Sequence, residues 1–313
     1  GLYPDAPVNP VNRHSFPGGN DGFARHFVKL LIPSAITGKN NFEDIMNNPI
    51  NFNNLDREEN KIRLRLSSNV IDVHHTSKSV NVTYYKNNEL TKINTKAVVM
   101  ASGGWVNKHI ISDLPQTHKD AYEQFNHAPM LVANVALTNW RFLKKLGITA
   151  YQWTGGFGFH TNIRKPMHVG NYKPDLDPDK PITLTFYVSF EKTNQGLSAK
   201  EQSRLGQYEM LGKSFMQYER EIREQMVRMF GSSGFDPKND IAGIILNRWG
   251  HAYVTPTPGF FYTPEGGPGY ADIIKTQPFG RVSFGHSELR GYQHWGPAAA
   301  EGSRAVDQIS EYI

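Results

Sequence analysis

Apolar residues recur at two spacings along this chain. From residue 61 they alternate with polar ones: Ile62, Leu64 and Leu66, then Val70, Ile71 and Val73, then Val80–Tyr85 before a turn at Lys86–Glu89. Alternation of this kind predicts strands with one buried face. Ala97–Met100 is continuously apolar, as suits a strand buried on both faces, and runs into Ala101-Ser102-Gly103-Gly104. Pro129–Leu137, Pro181–Phe190 and Ile241–Leu246 read as further strands, the last continuing into Asn247–Tyr253. Val282 and Phe284 mark a short strand near the carboxyl end.

Helical spacing places Phe23, Phe27, Leu30 and Leu31 on one face of a helix capped by Asn20 or Asp21 and ending before Pro33. Residues 107–125 carry a mixed helical pattern, Trp140–Lys145 a helix that stops at Gly147, and 200–230 the longest helical stretch. Its Met and aromatic residues read as core packing. Residues 1–22 are turn-rich, 34–60 a polar, irregular surface excursion, 151–159 an aromatic–glycine loop and 256–269 another turn-rich loop. Gly18–Gly22 reads as a helix-entry loop, since no strong apolar strand precedes it and neither nucleotide-loop spacing is met.

Composition narrows the picture. The 313 residues can bury a sizeable core in one or two domains, and the net charge of +5 is spread over scattered Lys and Arg. No basic run suits nucleic acid, and nothing approaches the ~20 apolar residues of a membrane span. The absence of cysteine excludes disulfides, Cys-ligated zinc and iron–sulfur clusters. His74, His75, His286 and His294 have no metal-ligand spacing, so no metal is expected.

The chemistry concentrates in residues 280–309. There a short strand meets a small-residue turn, an aromatic loop, and a helix with Pro297 in its first turn. Ala298, Ala299, Ala300 and Gly302 let a flat group lie close to the backbone. First-turn N–H groups stabilise negative charge, such as the anionic edge of a reduced flavin.

This segment resembles the carboxy-terminal flavin-binding motif of FAD-dependent amine oxidoreductases, in wording nearest to bacterial proteins of the spermidine dehydrogenase type. Asn69-Val70-Ile71, a three-stranded meander and Val98–Gly103 resemble the glutathione-reductase-type FAD domain. FPGGNDGFARHFVKLLIP (16–33), VANVALTNWRFL (132–143), GGFGFHTNIRKPM (155–167) and NRWGHAY (247–253) are also similar to family stretches. The resemblance implies a mixed α/β fold: an FAD/NAD(P)-binding domain from residues 1–115 and 275–313, with an inserted mixed-sheet substrate domain at 116–274.

It also implies roles. Val70 would bond the adenine through its backbone, and Ala101, Ser102 and Gly103 would pass beneath the cofactor. Gly285, His286, Ser287 and Glu288 fall where the family's carboxylate meets the ribityl chain. His294, Trp295, Gly296, Pro297 and Ala298 fall beside the isoalloxazine, and Trp295 would wall the substrate pocket. Arg248, Trp249 and Tyr253 are candidates for binding substrate, since aromatic rings suit an amine cation. His251 would be the base. Catalytic roles fall on His251 and Trp295.

The implied reaction is hydride removal from a carbon next to nitrogen, in a polyamine such as spermidine or in another amine. A flavin desaturase of the same fold and a non-catalytic partner subunit are the other readings. The strand–Gly-x-Gly-x-x-Gly–helix unit that cradles a dinucleotide pyrophosphate is not in these 313 residues. An amino-terminal segment or companion chain is expected to carry it, and this chain alone should bind FAD weakly or not at all. The resemblance leaves cytoplasm and periplasm equally open.

Overall fold

The computed structural model describes residues 19–163, 167–263, 265–276 and 279–313. The Pro-rich opening and Gly18 lie outside the described residues. Two compact units are present: residues 1–67 with 164–180, and residues 68–163 with 181–313.

In the first unit, α1 (Asp21–Leu31) starts after Asn20 as expected. Its stripe of Phe27, Leu30 and Leu31 is exposed, and the helix packs through Val28 against Ile32, Ala35 and Leu55. Lys29 is buried because its ammonium finds three acceptors, the carbonyls of Pro33, Ile36 and Gly38 at 3.2, 2.5 and 3.0 Å. The excursion at 34–60 contains α2 (Phe42–Asn47), capped by Asn41, whose side chain accepts the Asp44 N–H. The expected strand at Ile62–Leu66 does not form. Arg63 and Arg65 both clamp Asp56, at 2.6 and 3.2 Å, and only Leu64 turns towards the core. That alternation encodes an ion-pair clamp rather than a pleat.

The second unit opens with the meander: β1 (Asn69–His75), β2 (Val80–Lys86) and β3 (Glu89–Thr95), paired antiparallel in that order. Asn87 and Asn88 take φ of 52° and 64° in the tight turn, a conformation asparagine tolerates better than most residues. β4 (Val98–Met100) follows, then α3 (Gly104–Ile110) and α4 (Gln116–Tyr122).

A five-stranded antiparallel sheet comes next in the chain. It is built from β5 (Asn126–Leu137), β6 (Ala150–Gln152), β7 (His160–Ile163), β8 (Ile182–Ser189) and β9 (Ile241–Thr255), in the order β6-β7-β8-β5-β9. The helix α5 (Arg141–Leu146) ends at Gly147, whose φ of 68° suits glycine as a left-handed cap. α6 (Ala199–Gly212) and α7 (Phe215–Phe230) replace the single helical stretch expected at 200–230. Ser214 breaks it, closing a capping box with Gln217. Alternate residues Ala133, Val135 and Leu137 meet Phe186, Ile222, Met226 and Phe230 in one core, and Leu131 meets Val188, Met210 and Tyr218 in a second. Most of the expected 151–159 loop is irregular, but its first residues pair as β6 with β7. β9 runs from Ile241 to Thr255 and so takes in Asn247–Tyr253.

α8 (Tyr270–Thr276), β10 (Val282–Phe284) and α9 (Trp295–Ile309) complete the unit. β10 pairs with β4 in parallel, Val282 opposite Val98 and Phe284 opposite Met100. Val73, Ile111, Tyr122, Phe260 and Ile274 pack with Met100 and Phe284 in one core, while Ser283 donates to the Ala305 carbonyl of α9 at 2.8 Å. Glu301 of α9 is fully buried because Arg290 and Arg304 meet its two oxygens at 2.5 and 2.7 Å. Burial of a charge without such partners would be prohibitive. Among the described residues no helix is long and apolar enough to cross a membrane, and no group of three potential ligands could hold a metal.

Candidate functional site

The parallel pairing of β4 with β10 brings together two sequence segments that lie far apart in the chain. Gly285 donates its N–H to the Met100 carbonyl at 2.9 Å, so Ala101–Gly104 and Gly285–Glu288 leave their strands side by side. Carboxyl ends of parallel strands are where open α/β sheets bind ligands.

Glu288 ties these ends together. Its Oε2 accepts the Gly104 N–H at 2.8 Å, at the first residue of α3, and its Oε1 accepts from His127 Nε2 at 3.0 Å. The residue is buried, at 4% exposure. Burial alone would raise its pKa, but the hydrogen bond and charge of His127, the nearby His286 and the Gly104 N–H outweigh it and hold the carboxyl below its usual range.

His286 lies beneath it. Asn107 Nδ2 donates to the Tyr122 hydroxyl oxygen at 3.4 Å, which leaves the Tyr122 O–H to donate to His286 Nε2 at 3.2 Å. His286 Nδ1 then carries the proton and sits 3.7 Å from Glu288 Oε2, too far for a hydrogen bond. Burial, only partly opposed by the carboxylates of Glu288 and Glu301, pushes the His286 pKa down to about 4. Burial also pushes the Tyr122 phenol up, so it stays protonated. Asn107 closes the network on Ser102, donating to its carbonyl at 2.9 Å and accepting from its hydroxyl at 2.5 Å.

The glycines at the strand end are required by this packing. A Cβ on Gly103 would fall 2.7 Å from Trp105 Nε1 and 2.8 Å from Glu288 Oε1, and one on Gly104 would fall 2.4 Å from the Tyr122 ring. Gly285 is pressed between Val99 and Ala305 in the same way.

His251 reaches the cluster from β9. The β5–β9 register shifts between Ala128 and Met130, opposite the stretch from Tyr253 back to Trp249, so His251 lies in a bulge. Its ring stacks on Trp105 at 4.1 Å and meets the edge of His127 at 5.2 Å. Burial and the neighbouring charge of His127 lower its pKa, against the opposing pull of Glu288.

The other expected residues lie further off. Trp249 and Tyr253 are exposed on β9, at 58% and 40%. Arg248 is engaged elsewhere, donating to the Lys213 carbonyl at 3.1 Å and lying over the Tyr218 ring. Val70 sits at the start of β1, opposite Tyr84 and partly exposed. His294 caps the start of α9 without a side-chain hydrogen bond, and Trp295, Gly296, Pro297 and Ala298 form its first turn, with Trp295 58% exposed. His127, Tyr122, Asn107 and Trp105 escaped the sequence reading. Only Trp105, next to the Gly103-Gly104 pair, carried a local signal.

The mixed α/β fold of this chain matches solved structures of FAD-dependent amine oxidases. The chain is similar to a variant of putrescine oxidase redesigned in cofactor binding, at 16% identity over 78% of this chain and 48% of that one, with a TM-score of 0.53. It is also similar to cyclohexylamine oxidase from Brevibacterium oxydans, at 16% identity over 77% and 48% of the two chains, with a TM-score of 0.50. The chain thus spans about half the length of these structures, and at such identity the likeness establishes the fold. No protein-family model matches the chain, and no curated protein matches it.

Proposed function

We propose that this chain is the carboxy-terminal part of an FAD-dependent oxidoreductase that oxidises an amine. The observation that carries the reading is the meeting of Ala101–Gly104 with Gly285–Glu288 at the ends of β4 and β10, across the Glu288–Gly104 bond. On this reading residues 1–115 and 275–313 serve the cofactor and 116–274 the substrate.

The residues present fit a flavin nucleotide. An ionised carboxylate has about four lone-pair sites, and Glu288 spends two on Gly104 and His127, leaving capacity for a ribityl hydroxyl. Ala101, Ser102, Gly103 and the first turn of α9 would line the rest of the cofactor. The flavin, when bound, supplies the acceptor for a hydride from the carbon next to nitrogen.

The chain's own part is proton handling and orientation. His251, with its lowered pKa, is neutral near pH 7 and takes the proton of a substrate ammonium; Trp105 fixes its ring plane. Trp249, Tyr253 and Trp295 offer exposed aromatic surface to an amine cation. A polyamine of the spermidine type is the substrate proposed.

The test is an absorption spectrum of the purified native protein before and after anaerobic addition of spermidine, putrescine and simple amines. Flavin bands near ~370 and ~450 nm that bleach with an amine support the reading. Bands that no amine bleaches point to the same-fold desaturase. A colourless protein favours a non-catalytic partner subunit, the reading to which the missing Gly-x-Gly-x-x-Gly lends support.

A further inference from the structure

We propose that α7 carries a binding site for a small amino-acid zwitterion, with Glu224 taking the ammonium and Arg228 the carboxylate. The site shares no residue with the cluster around Glu288 and does not depend on the flavin reading.

A cavity of about 290 Å³ opens between the loop joining β6 to β7, the end of β8, the end of α6 and one face of α7. Ligand pockets generally begin at ~300 Å³, so this one suits a small metabolite and not a dinucleotide. The loop is the aromatic–glycine stretch of the sequence, which has no part in the proposed amine oxidation. Its Gly156 and Gly158 take φ of 85° and 74° and line the cavity with Phe157 between them. Phe157 donates its N–H to Gln225 Oε1 at 3.2 Å, which anchors the loop to α7. A Cβ on Gly156 would fall 2.5 Å from that oxygen, so a larger residue would push the loop away.

Most of the charge around the cavity is cancelled within the protein. Glu221 accepts from Lys213 at 2.9 and 3.1 Å, and Glu209 pairs with Lys192. Glu224 and Arg228 differ. Glutamate four residues ahead of arginine is the favourable order for an ion pair on a helix. Yet among the described residues neither side chain joins an ion pair. Buried Gln225 supplies the reason: its Oε1 also accepts from Arg228 Nη2 at 3.0 Å, which draws the guanidinium towards the loop and away from Glu224. That bond uses one of five guanidinium donors, and the others remain for a carboxylate.

One anion and one cation without a counter-charge therefore line the same cavity, beside the half-buried ring of Phe157. A simple anion would leave Glu224 unmatched, and a polyamine would meet the charge of Arg228. A zwitterion matches both groups, and its uncharged side chain rests on Phe157. Both charged residues are exposed, so water satisfies them before a ligand arrives.

The test is calorimetric titration of the intact protein, isolated with every chain it carries, using L-alanine, L-valine and L-leucine. At least one should bind at one site per chain. Its methyl ester, which lacks the carboxylate, and its N-acetyl derivative, which lacks the ammonium, should each bind about tenfold more weakly or worse, the scale of one hydrogen bond to a charged group. Glu224→Gln and Arg228→Gln should each weaken the parent amino acid to the same degree. Glu224→Gln gives up no hydrogen bond within the protein, so its melting temperature should not change and lost binding cannot be put down to unfolding. The proposal is overturned if none of the three amino acids binds, if either derivative binds as tightly as its parent, or if affinity is unchanged in either variant.

Discussion

Glu288 and Gly104 stand 184 positions apart, yet the Glu288 carboxylate accepts the Gly104 N–H at 2.8 Å inside the protein. One side chain thereby fixes the start of α3 to the turn after β10, and through His127 it also holds the start of β5. The start of α3, the turn after β10 and the start of β5 thus meet at one carboxylate.

Replacing the charge while keeping the shape tests that role. Glu288→Gln is expected to destabilise the chain by about 2 kcal/mol, the scale of hydrogen bonds to a charged group. Urea unfolding at pH 7 measures it. An unchanged midpoint would show that the carboxylate contributes nothing to the fold.

Acid should weaken the fold in two overlapping steps. The unfolded chain protonates a histidine below about pH 6.5, whereas buried His286 resists until about 4, so its contribution is present above 6.5 and declines as pH falls towards 4. The cost is ~3 kcal/mol across that window. Glu288, held below the usual carboxyl range, adds stability that is present above its ordinary value and is lost as pH falls through its depressed one. Thermal melts from pH 7.5 to 4 should therefore drop steadily. His286→Phe should flatten the 6.5-to-4 portion, and an equally steep profile in that variant would exclude His286 as the cause.

Two glycines give opposite expectations. Gly104→Ala pushes a methyl to 2.4 Å from the Tyr122 ring, so overpacking should cost at least ~2 kcal/mol. Gly302→Ala, inside α9 with nothing near its Cβ, should stabilise by ~0.5–1 kcal/mol. Paired melting curves separate them, and a harmless Gly104→Ala would mean that Tyr122 can move aside.

Much of this could be read from residue pattern, because β4, β5, β8 and β10 are apolar enough to announce themselves. The small residues after β4 and β10 also marked where chemistry gathers. What could not be read is adjacency. Nothing local to His127 or Tyr122 says that they will face Glu288, since that follows from how α4 and β5 pack once β4 and β10 have paired. The false strand at Ile62–Leu66 arose because alternation records which positions are apolar, not whether a partner strand exists. The break between α6 and α7 was legible in Ser214-x-x-Gln217, a capping signature masked by the apolar run on either side.

His251 offers the most direct test of the proposed chemistry. A base must be neutral to accept a proton, and burial together with His127 lowers the His251 pKa, so it loses its own proton below pH 6.5. In the flavin-loaded protein, the rising limb of kcat/KM for an amine should therefore lie on the acid side of that value. His251→Asn should remove the limb and lower kcat/KM about a hundredfold, the lower range for loss of a general base. Trp105→Leu keeps the imidazole but removes the 4.1 Å stack that orients it, so it should lower kcat/KM less while keeping the limb. A profile that His251→Asn leaves unchanged would place the base elsewhere in the site.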